Sequence, residues 1–286
     1  MVSQSIHPGT LIGPVTIRVA DASRSLRFYQ EALGFRPVGH VAGLPALGAP
    51  GMRDGAPVVV LKEVPGARPA RHASGLYHFA VLLPGRPALA RALRRLARAQ
   101  VSIGQADHLV SEALYLSDPD GNGIEIYRDR PRDQWGWDDG RVRMATDPLD
   151  LEDLLREAES EPDSPDALPP GTRTGHVHLQ VSDVQEAVQF YHGILGFDIV
   201  AAWQGAAFLS AGGYHHHIGL NSWGSRGAPP APPGATGLES FVIKVPDTEE
   251  QSRLAERLRE AGVPVEETDG VLRARDPWNV GLEVMP

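Results

Sequence analysis

The chain repeats itself. The stretch "VTIRVADASRSLRFYQEALGFRPV" (Val15 to Val38) aligns without a gap with "VHLQVSDVQEAVQFYHGILGFDIV" (Val177 to Val200). A repeat of this kind constrains the fold strongly, because each copy is one supersecondary unit that must bury its apolar face against another. In both copies an alternating apolar strand reaches an aspartate, Asp21 or Asp183, placed to cap a helix. The helix carries apolar residues at three- and four-residue spacing, Leu26, Tyr29, Leu33 and Val188, Tyr191, Leu195. Each helix then stops at a glycine, Gly34 or Gly196, the residue that takes a left-handed C-cap most easily. A fainter repeat relates "GLYHFAVLLP" (Gly75 to Pro84) to "GLESFVIKVP" (Gly237 to Pro246). Each is followed by a helical run and a closing strand after an Asp-Pro turn, "SDPDGNGIEIY" and "RDPWNVGLEVM". The pattern predicts an α+β chain of four strand-helix-strands modules taken as two consecutive pairs, residues 1–128 and 173–286. The acidic segment between them, 129–172, reads as a short helix over Leu149 to Ala158 and then a Pro/Ser-rich linker. Trp135 and Trp137 are expected to pin that linker to a domain surface, and "GSRGAPPAPPGATG" (Gly224 to Gly237) reads as an exposed loop.

Composition narrows the chemistry. No cysteine occurs, so a transition-metal site must draw on His, Asp and Glu. A net charge of −9 argues against nucleic acid as a partner, since a phosphate-neutralising face needs clustered Lys and Arg. The most basic run, Arg91 to Gln100, has Leu93, Leu96 and Ala97 at helical spacing, and its arginines read as the wet face of an amphipathic helix. No stretch is long and apolar enough to span a membrane and the first residues lack a leader pattern, so the expected location is the cytoplasm. No glycine loop opens a helix to cradle phosphate, and no serine sits in a nucleophile elbow.

Four βαβββ modules, with the "D…FY…LGF" signature twice and "DPDGNGIEIY" at a module end, resemble the vicinal oxygen chelate superfamily. That group includes glyoxalase I, bleomycin and fosfomycin resistance proteins and the extradiol ring-cleaving dioxygenases. The two-domain layout and "GGYHHHIGLN" are most similar to the catechol 2,3-dioxygenase type. The resemblance implies that each pair of modules curls a mixed sheet into a cup with helices outside, and that metal ligands come from first and last strands of modules. The first-strand slots fall on Pro14, His78, His176 and Ser240, and the last-strand carboxylates on Glu125 and Glu283. It therefore points to a metal in the C-terminal cup on His176 and Glu283, with Ser240 where a second histidine is expected. Ser240 and His178 become candidate substrate contacts. A possible second site in the N-terminal cup has only His78 and Glu125, because Pro14 cannot bind a metal.

The run His215, His216, His217 lies inside what reads as the last strand of the third module. On a strand His215 and His217 share one face and His216 takes the other. Two roles follow: His216 as an acid/base histidine, implied by the match to the extradiol enzymes, or His215 and His217 as replacement metal ligands. The function expected is an iron(II)-dependent extradiol dioxygenase acting on a small aromatic substrate with O2, with Mn, Zn or Ni as alternative ions and a homo-oligomer as the expected assembly. The alternatives are a glyoxalase-like divalent-metal lyase or transferase, and a non-catalytic protein that sequesters a small planar ligand.

Overall fold

The computed structural model of the protein describes residues 5–51, 56–159 and 167–286. Part of the Pro/Ser-rich linker lies outside these residues, as does part of the glycine-rich stretch from Gly48 to Pro57. The first module comprises β1 (Leu11–Val19), α1 (Ala22–Glu31), β2 (Arg36–Val41), β3 (Leu44–Gly48), β4 (Val59–Glu63) and a short β5 (Arg68–Pro69). The second comprises β6 (Gly75–Leu83), α2 (Arg86–Arg98), β7 (Gly104–Asp107), β8 (Ser111–Ser117) and β9 (Gly123–Asp129). The linker forms a two-stranded ribbon, β10 (Trp137–Asp138) and β11 (Arg141–Val142), and then α3 (Leu151–Glu159). The third module is β12 (Arg173–Gln180), α4 (Val184–Val188) widening into a π-helical turn over Gln189–Ile194, β13 (Asp198–Trp203), β14 (Ala206–Ser210) and β15 (Ile218–Asn221). The fourth is β16 (Ala235–Lys244), α5 (Thr248–Glu260), β17 (Glu266–Thr268), β18 (Val271–Arg275) and β19 (Gly281–Met285).

Local chemistry explains the boundaries. Asp21 caps α1 by accepting the Arg24 amide, and Asp183 caps α4 by accepting the amides of Gln185 and Glu186. Beyond the helices, Gly34 and Gly196 adopt φ of 81° and 87°, where a Cβ would be strained.

The four modules build two mixed sheets, but neighbours in sequence do not share one. One sheet runs β13-β14-β15-β12-β6-β9-β8-β7 and unites modules two and three; the other runs β17-β18-β19-β16-β1-β4-β3-β2 and unites modules one and four. The joints are antiparallel pairs of first strands, β12 with β6 and β1 with β16. This departs from the expectation of consecutive pairing. The physical reason is that all four first strands carry the same alternation, which fixes the face each strand buries and leaves open which first strand it meets.

Alternation along the joined strands separates core from site. Phe79, Val81 and Leu83 of β6, Ile124 and Ile126 of β9, and Val177 and Leu179 of β12 point into one continuous core with Ile17 of β1, Phe241 of β16 and Leu89, Leu93 and Leu96 of α2. His78 and Ala80, Glu125 and Tyr127, and His176 and His178 occupy the opposite face. On that face β12 carries Gly175 next to the Tyr127 ring, and a Cβ added there would fall inside the ring's hydroxyl and Cζ atoms. Gly175→Ala should lower the midpoint of urea denaturation, corresponding to roughly 1–3 kcal/mol of overpacking. Among the described residues no helix is long and apolar enough to cross a membrane.

Candidate metal centre

His78, Glu125 and His176 converge from three adjacent strands. In the β12–β6–β9 register His176 lies opposite Ala80, and Ala80 opposite Glu125. The small alanine lets the two long side chains meet above it. His78, two residues earlier on β6, completes a triangle: His78 Nε2 to Glu125 Oε2 is 3.0 Å, His176 Nε2 to the same oxygen 3.1 Å, and the two Nε2 atoms are 3.4 Å apart. All three residues are at least 94% buried, with exposures of 6%, 3% and 0%. Ligand atoms at right angles on an ion with bonds of about 2.1 Å stand about 3 Å apart, so this triangle has the dimensions of one face of an octahedron. The donor set, two imidazoles and a carboxylate, is the one that holds non-haem iron(II) facially and leaves its other positions open.

The protonation states suit a ligand role. Burial by itself would raise the Glu125 carboxyl, but the charge of His176 and the hydrogen bonds from His176 and His78 outweigh it and hold the group well below the usual carboxylate range. Burial pushes His176 down to about 4. At neutral pH the carboxylate is ionised and His176 is neutral, the forms that bind a metal.

The structure does not bring Glu283 to His176. Glu283 lies on β19 in the other sheet, where its Oε1 accepts the Ser240 hydroxyl at 2.7 Å. Ser240 is consequently remote from the trio and not a contact for anything bound there. Pro14, Ser240 and Glu283 occupy in the module one and four sheet the positions that His176, His78 and Glu125 occupy in its counterpart. The pairing of modules moved the second histidine: His78, expected in a separate N-terminal cup, stands beside His176.

The histidine triplet lies before β15, not within it. Gly212 and Gly213 both take positive φ, 58° and 64°, and the turn they make breaks the strand before Tyr214. Strict alternation therefore fails. His215 and His216 bond ring to ring, Nδ1 to Nδ1 at 2.9 Å, and the His216 ring lies tilted against His176 with centroids 4.0 Å apart. His215 Nε2 lies 2.9 Å from Asp129 Oδ1, which also accepts the Tyr214 hydroxyl at 3.1 Å. A carboxylate only accepts, so His215 donates from Nε2 and its Nδ1 accepts from His216 Nδ1. That network leaves Nε2 of His216 as the lone-pair nitrogen. Burial and the neighbouring histidines His176, His215, His178 and His78 hold His216 well below its ordinary value, so it is neutral near pH 7.

His217 turns away from the trio. Its Nδ1 accepts the Ala211 amide at 3.1 Å, and burial lowers its pKa to about 3. An unfolded histidine binds a proton below about 6.5 and the folded one only near 3, so the unfolded state takes up more protons in that window and acid removes stability. Thermal melts should show Tm falling steadily from pH 6.5 toward pH 4, with a slope of about 1.4 kcal/mol per pH unit from His217 alone and a steeper one from His176 and its neighbours together.

Two of the trio, His78 and Glu125, line a cavity of about 1060 Å³ to which Tyr77, Tyr115, His178 and His216 also contribute; His176 is fully buried and is not among its lining residues. His178 does not join the trio: its Nε2 meets the Asn221 side-chain amide at 3.0 Å, and its ring packs against Tyr77 and Phe208. His108 and Tyr115 were not anticipated. His108 Nδ1 meets the Ala145 carbonyl at 2.6 Å and its Nε2 the Tyr115 hydroxyl at 2.6 Å. Burial and then the nearby Glu125 charge raise the Tyr115 phenol well above its ordinary value, keeping it a hydrogen-bond donor. Of the two linker tryptophans, Trp135 is buried against Tyr214 and His215, whereas Trp137 is 43% exposed.

The model of the Glyoxalase/Bleomycin resistance protein/Dioxygenase superfamily matches residues 11–126 and 173–284. The chain belongs to that superfamily. It is 48% identical over 278 residues to the catechol-2,3-dioxygenase of Bacillus subtilis (strain 168), covering 96% of both chains. A solved structure from Bacillus subtilis subsp. subtilis str. 168, assigned as a dioxygenase, superposes with a TM-score of 0.67 at 18% identity over 98% of this chain and 86% of that one. Glyoxalase I from Zea mays superposes at a TM-score of 0.55 with 17% identity over 96% and 92% of the two chains, a likeness of fold alone.

Proposed function

We propose that the protein is an iron(II)-dependent extradiol dioxygenase that cleaves a catecholic ring beside its hydroxyls. The observation that carries this reading is the octahedral-face spacing of His78, Glu125 and His176, two of which, His78 and Glu125, line a cavity that also presents a neutral histidine. The 48% identity to a catechol-2,3-dioxygenase supports the same chemistry. Iron(II), when bound, supplies the Lewis acidity and redox capacity that unite a catecholate with dioxygen.

The chain's own residues do the rest. His78, His176 and Glu125 would hold the ion by one face, leaving room on the cavity side for two reactants. His216 accepts a catechol proton at Nε2, because its Nδ1 is engaged with His215 and its ring is neutral. Asp129 keeps that tautomer in place through His215. Tyr115 donates its single phenolic proton to His108 Nε2, whose ring donates from Nδ1 to the Ala145 carbonyl, and so presents its oxygen as an acceptor on the cavity wall.

The test is oxygen uptake by protein purified anaerobically and loaded with one equivalent of iron(II). Catechol should consume dioxygen one for one and give a yellow ring-cleavage product. Stoichiometric nickel or zinc binding with no oxygen uptake in the iron-loaded form would favour lyase or transferase chemistry, and no metal binding at all would favour a sequestering protein.

A further inference from the structure

The cavity is larger and more aromatic than a single ring requires. An apolar space of about 150 Å³ suffices for one benzene ring, whereas this one measures about 1060 Å³. Among the described residues its lining includes no lysine and no arginine, and Glu125 is the one carboxylate. Next to His178 stands a wall of four aromatic rings. Tyr77 and Phe208 pack on His178 at 5.0 and 5.6 Å, Trp203 lies 4.6 Å from Phe208, and Trp223 lies 5.7 Å from Tyr77. His178 in turn packs on His78 at 4.9 Å, so the wall begins one ring away from the metal-binding trio.

Three members of that wall are held out in solvent: Tyr77 is 42% exposed, Trp203 49% and Trp223 56%. Large aromatic side chains left exposed around one cavity mark a surface that a ligand covers. A substituent seated there would bury apolar area on both sides. A carboxylate or sulfonate laid against the aromatic wall would lose its hydration with no lysine or arginine among the described lining residues to meet it.

Resting on the dioxygenase reading, we propose that the site selects catechols that carry a bulky uncharged apolar substituent, a second aromatic ring or a branched alkyl group, laid against Trp203, Phe208 and Trp223. Catechols that carry a carboxylate are rejected. The aromatic wall, and not the trio, determines which ring compound is taken.

Two measurements separate this proposal from the reading beneath it. In metal-free protein, quenching of tryptophan fluorescence by 2-hydroxybiphenyl should half-saturate at a concentration at least about tenfold lower than by phenol, from the apolar area buried against the wall. In iron-loaded protein, kcat/KM for 2,3-dihydroxybiphenyl should exceed that for catechol at least about tenfold, with 2,3-dihydroxybenzoate at least about tenfold below catechol. Trp223→Ala or Trp203→Ala should bring the biphenyl-to-catechol ratio toward one. Cleavage of catechol with a biphenyl preference below tenfold overturns the proposal and leaves the dioxygenase reading intact. So does a full preference retained in both tryptophan variants. Tenfold tighter biphenyl quenching with no cleavage of any catechol upholds the apolar selectivity and ends the dioxygenase reading.

Discussion

Glu125→Ala should purify folded, bind less than one-tenth of an equivalent of iron and, on the proposed dioxygenase function, lose catechol cleavage by at least about a thousandfold, a barrier increase of about 4 kcal/mol. The expectation follows from the geometry of the trio. One carboxylate oxygen is shared by both imidazoles at 3.0 and 3.1 Å, so its removal leaves two imidazole nitrogens 3.4 Å apart and no negative charge to attract a dication. Folding should survive, because the opposite faces of the same strands hold the core through Ile124 and Ile126. Metal content by elemental analysis and oxygen uptake check the two halves of the statement independently. The informative control is Glu283→Gln, at the carboxylate of the other sheet, which should retain full iron. Iron lost from Glu283→Gln and kept by Glu125→Ala would reverse the assignment of the two positions.

The second large effect belongs to His216→Asn. A positioned proton acceptor contributes about a hundredfold to ten-thousandfold, and kcat should fall within that range while iron stays bound and KM for catechol changes little. The substitution removes the lone-pair nitrogen that the Asp129–His215 network prepares, and leaves the three ligand atoms untouched. Because the wild-type histidine is neutral well below pH 7, the wild-type rate should stay level down through pH 6.5. The variant should regain activity as pH rises and catechol ionises unaided. A kcat unchanged by the substitution would remove His216 from the chemistry.

Much of this was legible in the sequence, and the portion that was not has a definable physical origin. The caps at Asp21 and Asp183 and the left-handed glycines at Gly34 and Gly196 are local, governed by a few adjacent dihedrals, and they stand where the residues indicate. Helix α3 was expected over Leu149 to Ala158 and spans Leu151–Glu159, the usual uncertainty of a helix end. The meeting of His78 with His176 depends on which of four equivalent strands pair, and periodicity carries no information on that choice. The triplet misled for a different reason. Two glycines with positive φ ended the strand early, so a period-two argument applied to a turn gave the wrong faces. Tyr115 was within reach of a closer reading. The Asp-Pro turn that closes the β8–β9 hairpin sets Tyr115 directly opposite Glu125, so a register count across that turn would have found it.

The sheet that joins β1 to β16 also sets a timetable. At synthesis rates of about 5–20 residues per second, β16 leaves the ribosome roughly 11–45 s after β1. During that interval β1 has its neighbour β4 on one flank and an unpaired hydrogen-bonding edge on the other. The nascent first module is thus an open-edged template until the fourth module of its own chain is made.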